Sequence, residues 1–451
     1  MKLIQTTMAC AALVASCIAH AAVTPEQAKA LGTTLTAVGA EQAGNADGTI
    51  PAYDGGLSKI PAGLALQGAK QPDPYANEKP SFSINAGNAA KYADKLSAGA
   101  QELLKRYPDF RIDVYPTHRS AAFPQSWNDN TKKCAVEDKT LDGGLGLDAP
   151  QRNCVPFPIP QNGYEAMWNH LAHFRGLAAE AVVSSWNVNS AGYASLSSTV
   201  SAKANFTWQD DSATADPKLF EQLLINFLAP ARHDGEKILV HEFVNEYTDR
   251  RQSWQYLPGQ RRVRQAPDVN FDTPNSTTNG TNTFDDVYLF NGSMERYDFK
   301  LVGKKEMYVP YNDNRFVYFT PVADSLKGKF INPDSVRWEL HRVWVVEATL
   351  KPGKRHIYSK RTFYLDEDSW IALAADEYDS RGQLYRVAFA FPVQQYNVPA
   401  LFGDVYVHYD LIGGGYSVSD LMTQPKEGVF YNQKFSKEMF TPGSLIGSGV
   451  R

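Results

Sequence analysis

The chain lacks the local signatures of the common catalytic machineries. It has no G-x-S-x-G elbow to present a serine on a strained turn, no Ser-x-x-Lys pair and no phosphate-cradling P-loop. It also lacks a charge excess: 45 Lys and Arg face 49 Asp and Glu, a net charge of −4. That balance supplies no bulk attraction for nucleic acid or for an anionic bilayer. Beyond the first residues no segment approaches the ~20 apolar residues of a membrane-spanning helix. Cysteine is scarce, four in 451 residues, which excludes a disulfide-dense scaffold.

What is present begins with an export signal. Lys2 precedes a mostly apolar stretch over 3–18, and Ala19-His20-Ala21 supplies a small-x-small cleavage site. The reading is a signal peptide over 1–21 and a periplasmic protein. A rival lies within the same stretch: Val14-Ala15-Ser16-Cys17 resembles a lipoprotein-processing box, which would leave a lipid anchor on Cys17. Cleavage near Ala21 leaves two cysteines, Cys134 and Cys154, and an even pair in an exported chain is most simply a disulfide. Two free thiols are the alternative; a metal there is disfavoured, because no further ligand sits at the right spacing.

The chain divides by period. Residues 22–162 hold short helical patterns, extended Pro- and Gly-rich segments and the cysteine loop. One helix is expected just after Thr24-Pro25, a second over 87–107 and a third over 163–176. From about 180 the hydrophobic period becomes two, and 163–412 reads as one long antiparallel β domain with turns at Asp234-Gly235, Pro258-Gly259, Pro352-Gly353 and Arg381-Gly382. Residues 413–451 read as an irregular tail, with 22–451 as one structural unit. The fold class is mainly β with peripheral helices: a strongly curved antiparallel sheet of roughly ten strands, an unclosed barrel whose concave face is covered by helices.

The stretch 254–267, WQYLPGQRRVRQAP, is the most pronounced hairpin, with Gly259 expected to take the positive φ of its turn. Trp254 and Tyr256 share one face of its first arm. Further on, Trp338, Leu340, Trp344 and Val346 alternate along one strand, and Phe363, Phe389 and Phe391 extend an aromatic stripe across its neighbours. Such residues form either a solid core or the wall of a hydrophobic pocket, and the nine are the candidate cavity lining. Arg262 and Arg264 share a face in the densest basic patch and are candidate anchors for a covering helix or a ligand head group. His170 and His173, at i and i+3, are read as packing histidines and not as ligands, since no third ligand completes a pattern. No catalytic residue, cofactor or metal is implied.

Three motifs carry a resemblance: VGAEQAGNADGTIPAYDGGL at 38–57, VYPTHRSAAFP at 114–124 and the hairpin at 254–267. Together they resemble an uncharacterised family of proteobacterial exported proteins, a domain of unknown function described as outer-membrane lipoprotein-sorting-like. That family is grouped with the LolA/LolB lipoprotein carriers, whose unclosed barrel is lidded by helices over an apolar cavity. The resemblance implies a non-enzymatic carrier or chaperone for a lipid, acyl chain or lipoprotein-like cargo. It also implies a working partner, a resistance-nodulation-division type transporter or an outer-membrane protein. Two other readings stay open: a structural or assembly accessory of an envelope transporter without a cavity, and a hydrolase whose site one sequence does not show.

Overall fold

A computed structural model of the chain describes residues 23–447 apart from 267, 268, 270 and 433. The expected signal peptide and Cys17 lie outside the described residues. Among those described, sixteen strands form a single sheet. It is built from two antiparallel meanders. The first runs Ala178–Val188, Ala194–Asn205, Leu219–Ala229, Lys237–Phe243, Gln252–Leu257 and Arg262–Gln265. The second runs Tyr297–Pro310, Trp338–Leu350, Lys360–Asp366, Ala372–Tyr378, Leu384–Ala390, Tyr406–Asp410 and Tyr416–Leu421. The last strand of the second meander pairs with the first strand of the first, so the seam places Val418 opposite Trp186. Phe82–Asn85 and Arg111–Val114 pair with each other and adjoin Trp338–Leu350. The sheet is curved and antiparallel-dominated, and the two ends of its strand order, Phe82–Asn85 and Arg262–Gln265, do not pair. It is the expected unclosed barrel, with more strands than the ten expected.

The C-terminal stretch departs from its reading as an irregular tail. Tyr416–Leu421 closes the seam, and Gly428–Asn432 lies in line with it, pairing with the other half of Ala178–Val188. Both strands are short and are set off by Gly413-Gly414-Gly415 and by Pro425, so too few alternations survive to show a period. The hairpin turn also differs. Pro258–Gln260 forms a 3-10 turn and the left-handed residue is Arg261, at φ 49°, while Gly259 is not left-handed.

Two helices cover opposite faces. Helix Ala98–Arg106, capped by the Ser97 hydroxyl and ending before Pro108, packs on Ala372–Tyr378 and Leu384–Ala390. Its first amides, of Ala98 and Gly99, donate to the Asp376 carboxylate at 3.0 and 2.8 Å, the favourable place for an anion. A Cβ at Gly99 would stand 2.0 Å from Val387 Cγ1, so glycine sets the approach. Helix Gly163–Leu171, capped by Asn162, packs on Tyr297–Pro310 and Trp338–Leu350. Ala375 and Ala388, the strand neighbours of Asp376 and Val387, belong to the core around this second helix; adjacent strand residues point to opposite faces. The disulfide Cys134–Cys154 is formed, with Cα atoms 6.6 Å apart, and ties helix Gln125–Glu137 to the following loop.

A lidded cavity on the first meander

The first four strands of the first meander are in register through alternate residues. Ala179 faces Ala204, Ala181 faces Ala202 and Val183 faces Val200. Leu223 and Ile225 face Val240 and Ile238 one strand further on. All ten line one cavity of about 150 Å³, on the order of ten times the ~10–15 Å³ that one water needs. The space exists because all six of these lining positions on the first two strands, three on each, are alanine or valine, too short to reach what lies across from them.

What lies across is a segment of the connection between the two meanders. Val269, Asn275, Thr277, Phe284, Val287 and Tyr288 face the cavity. This cover is held down by side chains. Asn187 donates to the Thr278 carbonyl at 2.8 Å, and Ser198 to the Thr277 carbonyl at 2.8 Å. The stronger anchor is Arg361, which is fully buried. It bonds Asp285 at 3.0 Å, Asp286 at 2.9 Å, the Leu289 carbonyl at 3.1 Å and Glu377 at 2.8 Å. Burial and the nearby Asp286 push Glu377 up to about 8. Leu289 and Phe290, at the end of the cover, are buried in the core.

One part of the cavity is polar. Arg175, which follows helix Gly163–Leu171, pairs with Glu221, and its guanidinium lies over Phe206 at 4.3 Å and Tyr288 at 5.1 Å. Arg251 pairs with Glu242 at 2.7 Å and donates to the Asn291 carbonyl at 2.6 Å. Asp404 and Asp420 complete the wall. Desolvation raises Asp404 to about 6, and desolvation with the neighbouring Asp404 raises Asp420 to about 7.

None of the nine candidate lining residues lines this cavity. Trp338 packs edge-on against Phe389 at 5.2 Å, Phe391 lies 4.5 Å from Phe316, and Leu340 joins the same cluster. Val346 and Phe363 belong to a second cluster, Phe363 lying 5.4 Å from Phe290, while Trp344 stacks on Trp370 at 5.9 Å. Large side chains reach their neighbours and close most of the space between them; Trp338, Phe389 and Phe391 border only a small gap of about 10 Å³, and Trp344 is half-buried. Trp254 and Tyr256 fail for another reason. Trp254 pairs with Leu239, whose strand neighbours Ile238 and Val240 face the cavity, so the hairpin aromatics lie on the opposite face. There they pack with Leu224, Leu239, Phe440 and Leu445. Arg262 and Arg264 are exposed, Arg264 donating to Gln255 at 3.0 Å; the anchoring role expected of them falls to Arg361 and Arg251.

His170 and His173 are buried packing residues. His170 accepts from the Ala372 amide at 3.1 Å and donates to the Phe290 carbonyl at 3.0 Å, and burial lowers its pKa to about 4. Both ring nitrogens of His170 are occupied, which leaves no lone pair for a metal. Sequence reasoning missed Arg175, Asp404 and Arg361. Arg361 left a trace: it stands at the inward position of a strand whose next inward residues are Phe363 and Leu365.

A curved, unclosed antiparallel sheet with a lidded apolar void on one face is the class of fold that results. The chain belongs to the family described as protein of unknown function DUF1329, whose model matches residues 83–446. It is 42% identical over 441 residues to an uncharacterized protein of Pseudomonas aeruginosa, covering 96% of this chain and 95% of that one. Solved structures resemble it more distantly. A domain of Vibrio parahaemolyticus, provisionally assigned to outer membrane lipoprotein sorting, matches at TM-score 0.44 and 16% identity, over 63% of this chain and 98% of that one. A DUF1329 family protein of Desulfovibrio piger matches at 0.41 and 17%, over 60% and 92%. A LolA superfamily protein of Nitrosomonas europaea matches at 0.38 and 11%, over 62% and 98%. Likenesses of this size carry no cargo or partner over to this chain. Among the described residues no helix is long and apolar enough to cross a membrane.

Proposed function

We propose that the protein is a periplasmic, non-enzymatic carrier or chaperone for a hydrophobic ligand, such as a lipid, an acyl chain or a lipoprotein-like cargo. The observation that carries this reading is the void beneath the cover, whose sheet wall away from its polar end is alanine, valine, leucine and isoleucine. A cavity of that composition gains nothing from holding water and favours an apolar guest. The cover is pinned by side-chain bonds to strands on both sides. Delivery to a resistance-nodulation-division type transporter or an outer-membrane protein belongs to the same reading and rests on the motif resemblance. The test is titration with N-phenyl-1-naphthylamine, a dye that fluoresces on entering an apolar site. Saturable binding of one dye per chain, competed by fatty acyl compounds, is the expected result. A dye that stays dark at micromolar protein would overturn it.

A further inference from the structure

The polar part of the cavity holds groups that the protein itself leaves unbonded. Arg175 is 7% exposed; one of its terminal nitrogens pairs with Glu221, while Nε and Nη1 have no hydrogen-bond partner. Phe206 and Tyr288 cover the guanidinium. Their rings take the cation's charge but leave the two N–H groups directed in its plane. Asp404 is 9% exposed and its Oδ1 likewise has no partner. Both residues line the cavity. Each feels the other's charge. Buried donors and acceptors left unbonded are costly, and a site that keeps both is shaped for a guest that satisfies both.

We propose that the space between Arg175 and Asp404 receives the hydroxyl head of an amphiphile, an alcohol on an apolar tail that lies along the alanine and valine wall. This rests on the carrier reading and names its ligand class. The cavity's own charges select against the alternatives. Two guanidiniums, Arg175 and Arg251, face four carboxyl groups, Glu221, Glu242, Asp404 and Asp420. Each arginine already neutralises one glutamate. A carboxylate or phosphate head would therefore add negative charge beside Asp404 and Asp420 where solvent is scarce. An ammonium head offers no acceptor to the unspent N–H groups of Arg175. A hydroxyl accepts from Arg175, donates to Asp404 Oδ1 and brings no charge. In the unliganded protein, water can occupy the same place, and the ligand hydroxyl reproduces its bonds.

The test is displacement of N-phenyl-1-naphthylamine from the full mature chain at pH 8 by 1-decanol, decyl methyl ether and decanoate. Decanol should displace the dye at about tenfold lower concentration than the ether, which accepts a hydrogen bond but donates none. Decanoate should be weaker than either. Asp404→Ala removes the acceptor for the ligand hydroxyl and should level decanol with the ether; the two competitors are compared on the same variant, so a change in dye affinity cancels from their ratio. An ether as good as the alcohol, an alcohol advantage that survives Asp404→Ala, or decanoate as the strongest competitor would each overturn the proposal. The last would make Arg175 an anion site. Failure of the dye to bind at all is a separate result and overturns the carrier reading itself.

Discussion

Ala202 stands in the middle of the cavity wall, opposite Ala181 on one side and Ile225 on the other. Ala202→Phe therefore directs a phenyl ring into a void of about 150 Å³. An engineered cavity of roughly that volume takes up one benzene molecule, so the ring should fill much of the available space. Two consequences follow together. Affinity for N-phenyl-1-naphthylamine should fall by at least about tenfold, and the protein should not lose stability. Burying the ring stabilises by up to about 1.5–3 kcal/mol, which raises Tm by a few degrees in a chain of this size. If the face were already solid, the same ring would overpack it at a cost of about 1–3 kcal/mol. Differential scanning fluorimetry and dye titration on one sample separate the cases. A lowered Tm with dye binding unchanged would falsify the placement of the cavity.

Four other outcomes are expected. Trp344→Ala removes a ring stacked on Trp370 and so should cost about 2–3 kcal/mol in urea unfolding, with dye affinity unchanged because Trp344 does not line the void. Arg361→Met removes the cation that Asp285, Asp286 and Glu377 share, leaving His356 beside Asp285 and Arg386 beside Asp286; the loss should be about 3 kcal/mol, and hydrogen exchange should quicken over 284–291 first. Asp138 is raised to about 8, chiefly by burial, against about 4 in the unfolded chain. The native state thus holds the proton more tightly, so stability should fall as pH rises from about 4 to 8, and Asp138→Asn should flatten that slope. Non-reducing peptide mapping should find Cys134 and Cys154 linked; reduction opens a loop with a sequence separation of 20 and should cost about 3 kcal/mol, whereas two freely alkylated thiols would contradict the pairing.

Alternation was legible wherever strands were long. Residues 338–350 read as a strand and form Trp338–Leu350; Asp234-Gly235 read as a hairpin, and Gly235 takes φ 80° between Leu219–Ala229 and Lys237–Phe243. The helix over 163–176 is there as Gly163–Leu171, and that over 87–107 splits into the 3-10 helix Ala89–Lys95 and Ala98–Arg106, because Ser97 caps a fresh start. The cavity was not legible, for a physical reason. Sequence draws attention to large side chains, but those fill space; a void is made by small ones, here Ala179, Ala181, Ala202 and Ala204. Nor does a polar stretch such as 271–283 show that it will be folded over apolar strands. What decides that is Arg361 bonding Asp285 and Asp286 some seventy-five residues away, a pairing no local pattern contains.

Native mass spectrometry of the gently purified protein tests the central claim most directly. The wild-type chain should carry a bound hydrophobic molecule as a discrete added mass, which gas-phase activation releases, and Ala202→Phe should fly at its bare mass. A wild-type spectrum free of adducts after exposure to envelope lipids, or an adduct retained in full by Ala202→Phe, would contradict a carrier whose cargo lies under the 269–291 cover.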